Sequence, residues 1–268
     1  FWAVIDVSSI SPLEFLLLDA GEALTKPMAQ MSSTDEACYN NLLALEVIEL
    51  LNPVDIGNFI SLFSDLLPNS YCQAVVSYLY DTYSDYAING NTKEQNEQLA
   101  YDYARLSANQ GNPVGQKMMG DRYLFGTGVD EEFGRAYLWW LLSANQGFAR
   151  AQAQMGAYYR YGDGVAENLV LAFYWTELAA SGDDVYAQTA LGEMYYFGQG
   201  VDVNYKLAAH WWQLAAEQGF PWAINNLASL YEDGLGVTKD LAFSCQLYTL
   251  AVESVLTEAQ VSVDRVCP

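Results

Sequence analysis

Four Gly-x-Gly-Val motifs recur along the chain at a constant interval of 36 residues. Their first glycines are Gly126, Gly162, Gly198 and Gly234. A fixed period of this length indicates an array of structural repeats, in which each unit is a small group of elements stacked on its neighbours. The other residues of the chain should therefore fall into the same register.

The residues before each motif have the spacing of a helix that ends at the first glycine. A small residue lies six positions before that glycine, and a tyrosine lies three positions before it. Side chains at these spacings share one face of a helix, and glycine is favoured where a helix ends in a left-handed conformation. The small residues are Gly120, Gly156, Gly192 and Ala228, and the tyrosines are Tyr123, Tyr159, Tyr195 and Tyr231.

A second helical stretch follows each motif. Trp139, Trp175 and Trp211 lie 13 residues after their glycines, with Leu247 in the fourth copy, and alanine or serine residues surround them. Alternating large and small residues are typical of interlocking antiparallel helices. We expect these tryptophans, Trp175 among them, to be buried between hairpins rather than to form a stacking platform for a ligand. Each repeat is thus predicted to be a helix–turn–helix hairpin.

The order of these motifs resembles the Sel-one-like repeat, a relative of the tetratricopeptide repeat. Its elements are a small residue, Leu-Gly, Tyr and Gly-x-Gly-Val, followed by Ala-x-x-Trp and Ala-Ala-x-x-Gly. Four copies match across 115–253, and the sequence SANQG at 107–111 and 143–147 marks an earlier, degenerate copy. The resemblance implies an all-α fold, an α-solenoid of helix–turn–helix hairpins in 36-residue repeats. It also implies protein–protein interaction, with no reaction and no cofactor.

The predicted organisation has three parts. Residues 1–74 are helical without following the repeat, and form either a cap over the end of the array or a dedicated docking surface. Residues 75–253 form the solenoid of about five hairpins, and a long helix from Tyr71 to Ile88 opens the degenerate first one. Residues 254–268 form a capping helix at the other end.

Acidic residues dominate the charge of the chain. It contains 33 Asp and Glu residues against 11 Lys and Arg residues, for a net charge of −22. An acidic surface repels nucleic acid and anionic lipid and attracts basic partners. Solubility alone is the plainer explanation of this charge, and the sequence leaves both open. No stretch is long and apolar enough to span a membrane, which takes about 18 residues or more.

The four cysteines form two pairs along the sequence. Cys38 and Cys72 flank one apolar segment, and Cys245 and Cys267 flank the last turn of the array. We expect two disulfides, Cys38–Cys72 and Cys245–Cys267, and therefore an oxidising, extracytoplasmic compartment, periplasmic or secreted. Buried free thiols in a cytosolic protein are the alternative. The chain begins at Phe1 without an initiator methionine, which fits either a removed signal peptide or the ordered part of a longer chain.

No constellation of catalytic residues is apparent. The Gly-x-Gly motifs end helices rather than follow strands, so they are not dinucleotide-binding loops. His210, the single histidine, aligns with Leu138 and Tyr174 of other copies and is predicted to pack or lie on the surface. The cysteines lack the spacing of a zinc site. We therefore expect a non-enzymatic protein without cofactor or metal; a hydrolase of a glycan or lactam is the least favoured alternative.

Binding is expected on the concave face formed by the first helix of each hairpin. Counted from the small residue that opens each copy, the third, seventh and tenth positions should face inward. These positions vary between copies while the framework does not, so they are free to recognise a ligand, here a peptide or protein with a basic segment. The alternative is a structural subunit of a larger complex, docked through the N-terminal cap and the convex face. The predicted partner-binding residues are Asp81, Asp85, Lys117, Asp121, Arg160, Glu193, Tyr196, Asn225 and Glu232.

Overall fold

The computed structural model describes residues 57, 60, 69–254 and 256–267. Every regular element in that part of the chain is helical, which confirms the predicted all-α class. Nearly all of the predicted cap, residues 1–74, lies outside the described residues. The eleven described α-helices are α1 (Ser70–Thr82), α2 (Lys93–Asn109), α3 (Pro113–Phe125), α4 (Phe133–Asn145), α5 (Ala149–Tyr161), α6 (Leu169–Ser181), α7 (Val185–Phe197), α8 (Tyr205–Glu217), α9 (Pro221–Asp233), α10 (Leu241–Glu253) and α11 (Gln260–Val266).

Consecutive helices pair into antiparallel hairpins. The chain divides into two compact units, one up to Ala151 and one from Gln152 onward. In the first unit α1 packs on α2 and α3 on α4, and α2 contacts α3. In the second unit α6 contacts α7, which pairs with α8, and α8 contacts α9, which pairs with α10. The odd-numbered helices up to α9 are the first helices of the hairpins, and the even-numbered ones are the second helices.

The two glycines of each motif have different structural roles, as the motif that follows α7 shows. Gly198 caps the helix with φ 72°, in the left-handed region that the sequence predicts. Gly200 also has a positive φ, 73°, and a Cβ at this position would collide with the backbone of Leu169 at the start of α6. The second glycine therefore lets the turn of one hairpin lie directly against the previous hairpin.

The buried aromatic position is one residue later than the sequence suggested. Trp140 and Trp212 are almost fully buried, 0% and 3% exposed. The prediction for Trp139, Trp175 and Trp211 was wrong, since all three are only half-buried. In the middle copy Thr176 occupies the buried position and Trp175 the half-buried one, so the tryptophan that recurs in three copies marks the half-buried position.

Each buried tryptophan packs against the small residue of its own hairpin. A Cβ on Gly120 would collide with the ring of Trp140, and one on Gly192 would collide with the ring of Trp212. The Trp212 indole also donates a hydrogen bond to the Thr189 carbonyl, 3.0 Å away. Because a glycine lies beneath the ring, the two helices approach closely enough to bury the whole indole.

The first described helix is shorter than predicted. The expected helix from Tyr71 to Ile88 ends at Thr82, and a 3₁₀ turn follows at Ile88–Gly90. Asn96 from α2 explains the change of direction, because its amide donates hydrogen bonds to the carbonyls of Ser84 and Tyr86. These carbonyls are thus satisfied outside a helix.

The C-terminal segment repeats the first half of a hairpin. Ala259 precedes α11 and is buried, 36 residues after the buried Ala223. A disulfide joins α11 to α10: Cys267 is bonded to Cys245 of α10, with 5.1 Å between their Cα atoms. Val263 and Val266 of α11 pack against the core of the last hairpin. Cys72 is also disulfide-bonded, whereas Cys38 lies outside the described residues.

Candidate protein-binding face of the first helices

The nine predicted partner-binding residues lie on first helices or just after them, and none is fully buried. Asp81 and Asp85 are exposed, and the other seven are half-buried. Half-buried polar side chains have fixed positions and still reach solvent, as a binding face requires. What the sequence did not show is how many of them already bind each other or a neighbour.

In the first unit, Asp121 joins both helices of its hairpin. One carboxylate oxygen accepts a hydrogen bond from the Trp140 indole at 3.0 Å, and the other accepts one from the Lys117 ammonium at 2.7 Å. Asp121 therefore orients the buried tryptophan. Its replacement by alanine would affect stability, contrary to the expectation for an exposed binding residue.

Asp81 pairs with an arginine that the sequence analysis missed. The Arg122 guanidinium is only 3% exposed and lies 2.9 Å from the Asp81 carboxylate. The later copies carry Tyr158, Met194 and Leu230 at the position of Arg122. A charged residue at this otherwise uncharged framework position is the sequence feature that could have predicted a buried ion pair. A buried guanidinium needs its counter-charge, which gives Asp81 a structural role. Asp85 forms an exposed ion pair with Lys93 at 2.7 Å, of the kind that contributes little to stability.

In the second unit, an ion pair joins two consecutive first helices. The Arg160 guanidinium of α5 donates to the Glu193 carboxylate of α7 at 2.9 Å and to the Gln199 amide oxygen at 2.7 Å. Arg160 is the tenth residue of its copy, and Glu193 is the seventh residue of the next. Their contact shows that these variable positions on neighbouring first helices lie side by side.

The same positions meet again at the end of the array, with the charges reversed. Glu232 is a tenth residue, and Arg265 of α11 occupies the seventh position of the partial copy that follows. The Arg265 guanidinium donates to Glu232 Oε2 at 2.7 Å. The Tyr248 hydroxyl donates to the same oxygen at 2.9 Å. Burial and this carboxylate raise the pKa of Tyr248 to about 12.

Tyr196 and Asn225 complete the predicted set. The Tyr196 ring packs against Tyr205 and Trp212, with ring centroids 5.3 and 5.5 Å apart, so one edge of it belongs to the core. The half-buried Asn225 amide has no hydrogen-bond partner within the described part of the chain. An amide can both donate and accept, which makes Asn225 the residue most available to an incoming polypeptide.

The chemistry of this face is that of a polar contact surface. Glu193 and Glu232 each use Oε2 for their internal partners, and Oε1 accepts no hydrogen bond from any described residue. Each can therefore accept a further hydrogen bond from a cation. Among the described residues there is no group of three or more His, Cys, Asp or Glu side chains placed to hold a metal ion. None of the described helices combines the length and apolar character needed to cross a membrane.

Comparison with known proteins agrees with the repeat register. The family model described as Sel1 repeat matches residues 86–112, 113–148, 149–184, 185–220 and 223–254. No curated protein matches the chain.

Two solved structures are similar to the chain in fold. A protective antigen of uropathogenic Escherichia coli, which displays an SLR fold, is 29% identical with a TM-score of 0.67. That match covers 77% of this chain and 43% of the antigen, so the chain spans less than half of the antigen's length. A Sel1 repeat protein from Oxalobacter formigenes is 24% identical with a TM-score of 0.68, covering 76% of this chain and 82% of that one. Because the family model matches more than half of the chain, hairpin by hairpin, the chain belongs to the Sel1 repeat family.

Proposed function

We propose that this protein is a non-enzymatic, extracytoplasmic adaptor that binds a basic segment of a peptide or protein on the first helices of its second unit. Sel1 repeat proteins are in general protein–protein interaction modules, and the family model covers all five described hairpins in whole or in part. The face proposed here consists of Arg160, Glu193, Tyr196, Asn225 and Glu232.

The observation that carries the proposal is the contact between Arg160 and Glu193. It joins a tenth and a seventh position of consecutive copies, so variable residues of separate repeats form one surface. The framework beneath them is shared, since Gly192 and Trp212 form the same packed pair as Gly120 and Trp140. Surface variation on a constant framework is how a repeat fold is adapted to a particular partner.

The expected ligand chemistry follows from charge. The chain has a net charge of −22, and both glutamates of this face keep an oxygen that no described residue uses. A Lys or Arg side chain of a partner can donate to that oxygen, while Asn225 can pair with its backbone. Such contacts between partly exposed charges weaken as salt increases.

Extracytoplasmic location is supported by the cysteines. Cys245 and Cys267 are joined by a disulfide, and Cys72 is also disulfide-bonded. Disulfides of this structural kind persist in oxidising compartments.

The test is a binding titration with a fluorescent extended peptide of alternating arginine and alanine. We expect Glu193→Gln with Glu232→Gln to weaken binding at least tenfold, about 1.4 kcal/mol. The control carries Glu217→Gln with Glu253→Gln, which removes the same charge from exposed positions on second helices. Equal weakening in both double variants would mean that net charge alone attracts the peptide, and the proposed face would be wrong.

A further inference from the structure

Helix α6 is apolar on the side that faces solvent as well as on the side that faces the core. Ala172, Thr176, Ala179 and Ala180 are its buried residues. On the exposed side Val170, Tyr174 and Leu178 follow one another at intervals of four residues, 67%, 51% and 37% exposed. Leu171 adds to this stripe at 37%. A helix that is apolar all round is normally covered on both sides.

The repeat framework does not require this stripe. At the positions of Val170 and Tyr174, the next second helix, α8, carries Lys206 and His210. The one after that, α10, carries Ala242 and Gln246 at the same two positions, both exposed. Since α8 and α10 pack into their hairpins with polar or small residues at these two positions, the exposed apolar pair Val170 and Tyr174 is found on α6 alone among the second helices of the second unit. The positions of Leu171 and Leu178 stay apolar in the later copies, where Leu207 and Leu250 are 36% and 40% exposed.

The stripe is held in a fixed shape. The Tyr174 ring packs edge-on against Trp175, with ring centroids 5.3 Å apart, and the half-buried Trp175 extends the apolar surface. Asn168 caps the helix by accepting hydrogen bonds from the backbone N–H groups of Val170 and Leu171, each at 3.1 Å. Apolar and aromatic side chains that are already ordered lose little entropy on binding.

Acidic residues frame the stripe. The chain has no Lys, Arg or His between Arg160 and Lys206. Exposed acids lie before the helix at Glu167, on it at Glu177 and after it at Asp183. A complementary partner therefore has an apolar stripe with basic residues along its edges. A second copy of this chain fits poorly, because each copy has a net charge of −22 and like charges oppose association.

We propose that the exposed side of α6 docks an amphipathic helix of another protein, whose apolar stripe is flanked by Lys and Arg. Val170, Tyr174 and Leu178 contact the apolar stripe of that helix, and Glu167, Glu177 and Asp183 face its basic edges. This surface lies on a second helix, and it is independent of the first-helix face proposed above.

The probe is a synthetic amphipathic helix of leucine and lysine, with leucines at i, i+3, i+4 and i+7. The test variant carries Val170→Lys with Tyr174→His, the residues that α8 has at these positions. The control carries Ala242→Lys with Gln246→His, which makes the same substitution types at the same register of α10. We expect at least tenfold weaker binding in the test variant and less than twofold change in the control, with unchanged far-ultraviolet circular dichroism in both.

Other results would overturn the proposal. If the test and control variants bind the probe with equal affinity, the α6 stripe does not bind it. Concentration-dependent dimerisation of the unchanged protein, abolished by Val170→Lys with Tyr174→His, would identify a second copy as the occupant instead. The double variant with Glu193→Gln and Glu232→Gln should bind this probe as the unchanged protein does. The proposal for the first helices and the proposal for α6 are therefore tested by different variants, and one can be wrong without the other.

Discussion

We predict that two adjacent tryptophans of α8, Trp211 and Trp212, differ sharply in their contribution to stability. Trp212 is 3% exposed, packs on Gly192 and donates a hydrogen bond to the Thr189 carbonyl. Trp211, one residue earlier, is half-buried. The two residues have the same chemistry and lie on the same helix, so their comparison isolates burial.

The expected losses of stability follow from the difference in burial between Trp212 and Trp211. Removing a fully buried Trp side chain costs about 3–5 kcal/mol, since the cavity above Gly192 cannot close completely. Removing a half-buried one costs roughly 1–2 kcal/mol. For a chain of this size, about 2–4 °C of melting temperature corresponds to each kcal/mol. We therefore expect Trp212→Ala to lower the melting temperature by about 6–20 °C and Trp211→Ala by about 2–8 °C.

The assay is thermal and urea unfolding of the full chain, followed by far-ultraviolet circular dichroism. Circular dichroism reports helix content, and it avoids the overlapping fluorescence of the seven tryptophans. If Trp211→Ala destabilises the protein as much as Trp212→Ala, the assignment of the buried framework position is wrong.

Three further predictions concern the framework. Gly200→Ala should lower the free energy of unfolding, measured with urea, by about 2 kcal/mol or more, because a Cβ there would collide with backbone atoms. Gly219 has a similar positive φ but open space around it, so Gly219→Ala should lower the free energy of unfolding by only about 1 kcal/mol. The raised pKa of Tyr248 predicts a stability contribution that is complete below pH of about 10 and lost as the pH rises through about 12; Y248F should remove that pH dependence. Peptide mapping without reductant should find Cys245 linked to Cys267, and reduction should cost about 3–4 kcal/mol for a 22-residue separation in the chain-entropy model.

The repeat and its helices could be predicted from the sequence because spacing determines them. The glycine period predicted the hairpins, and the left-handed caps at Gly126, Gly198 and Gly234 confirm the predicted ends of their helices. The neighbouring pairs Trp139-Trp140 and Trp211-Trp212 offered two periodic choices, and the sequence favoured the first because it recurs as Trp175, whereas the second becomes Thr176. Adjacent residues of a helix point about 100° apart, so only the packing against glycine separates them.

The positions of the candidate face were predictable, but the bonds among its residues were not. Long charged side chains reach across helices to partners far away in sequence, as Arg160 reaches Glu193 and Arg265 reaches Glu232. Hydrophobic periodicity carries no information about such pairs. Arg122 shows the same limit, since its burial depends on a counter-ion from another hairpin.

Photo-cross-linking tests the division between framework and binding face most directly. A photo-reactive residue is introduced at one position per variant: Asn225 on the proposed first-helix face, Tyr174 on the α6 stripe, or Gln246 as an exposed control on α10. Each variant is cross-linked in its native compartment. We predict that position 225 cross-links to a polypeptide at a Lys- or Arg-containing segment, and that Glu193→Gln with Glu232→Gln abolishes this product while position 246 yields none. Cross-links from position 246 as strong as those from position 225, or products at 225 that survive the double change, would contradict binding by the first helices.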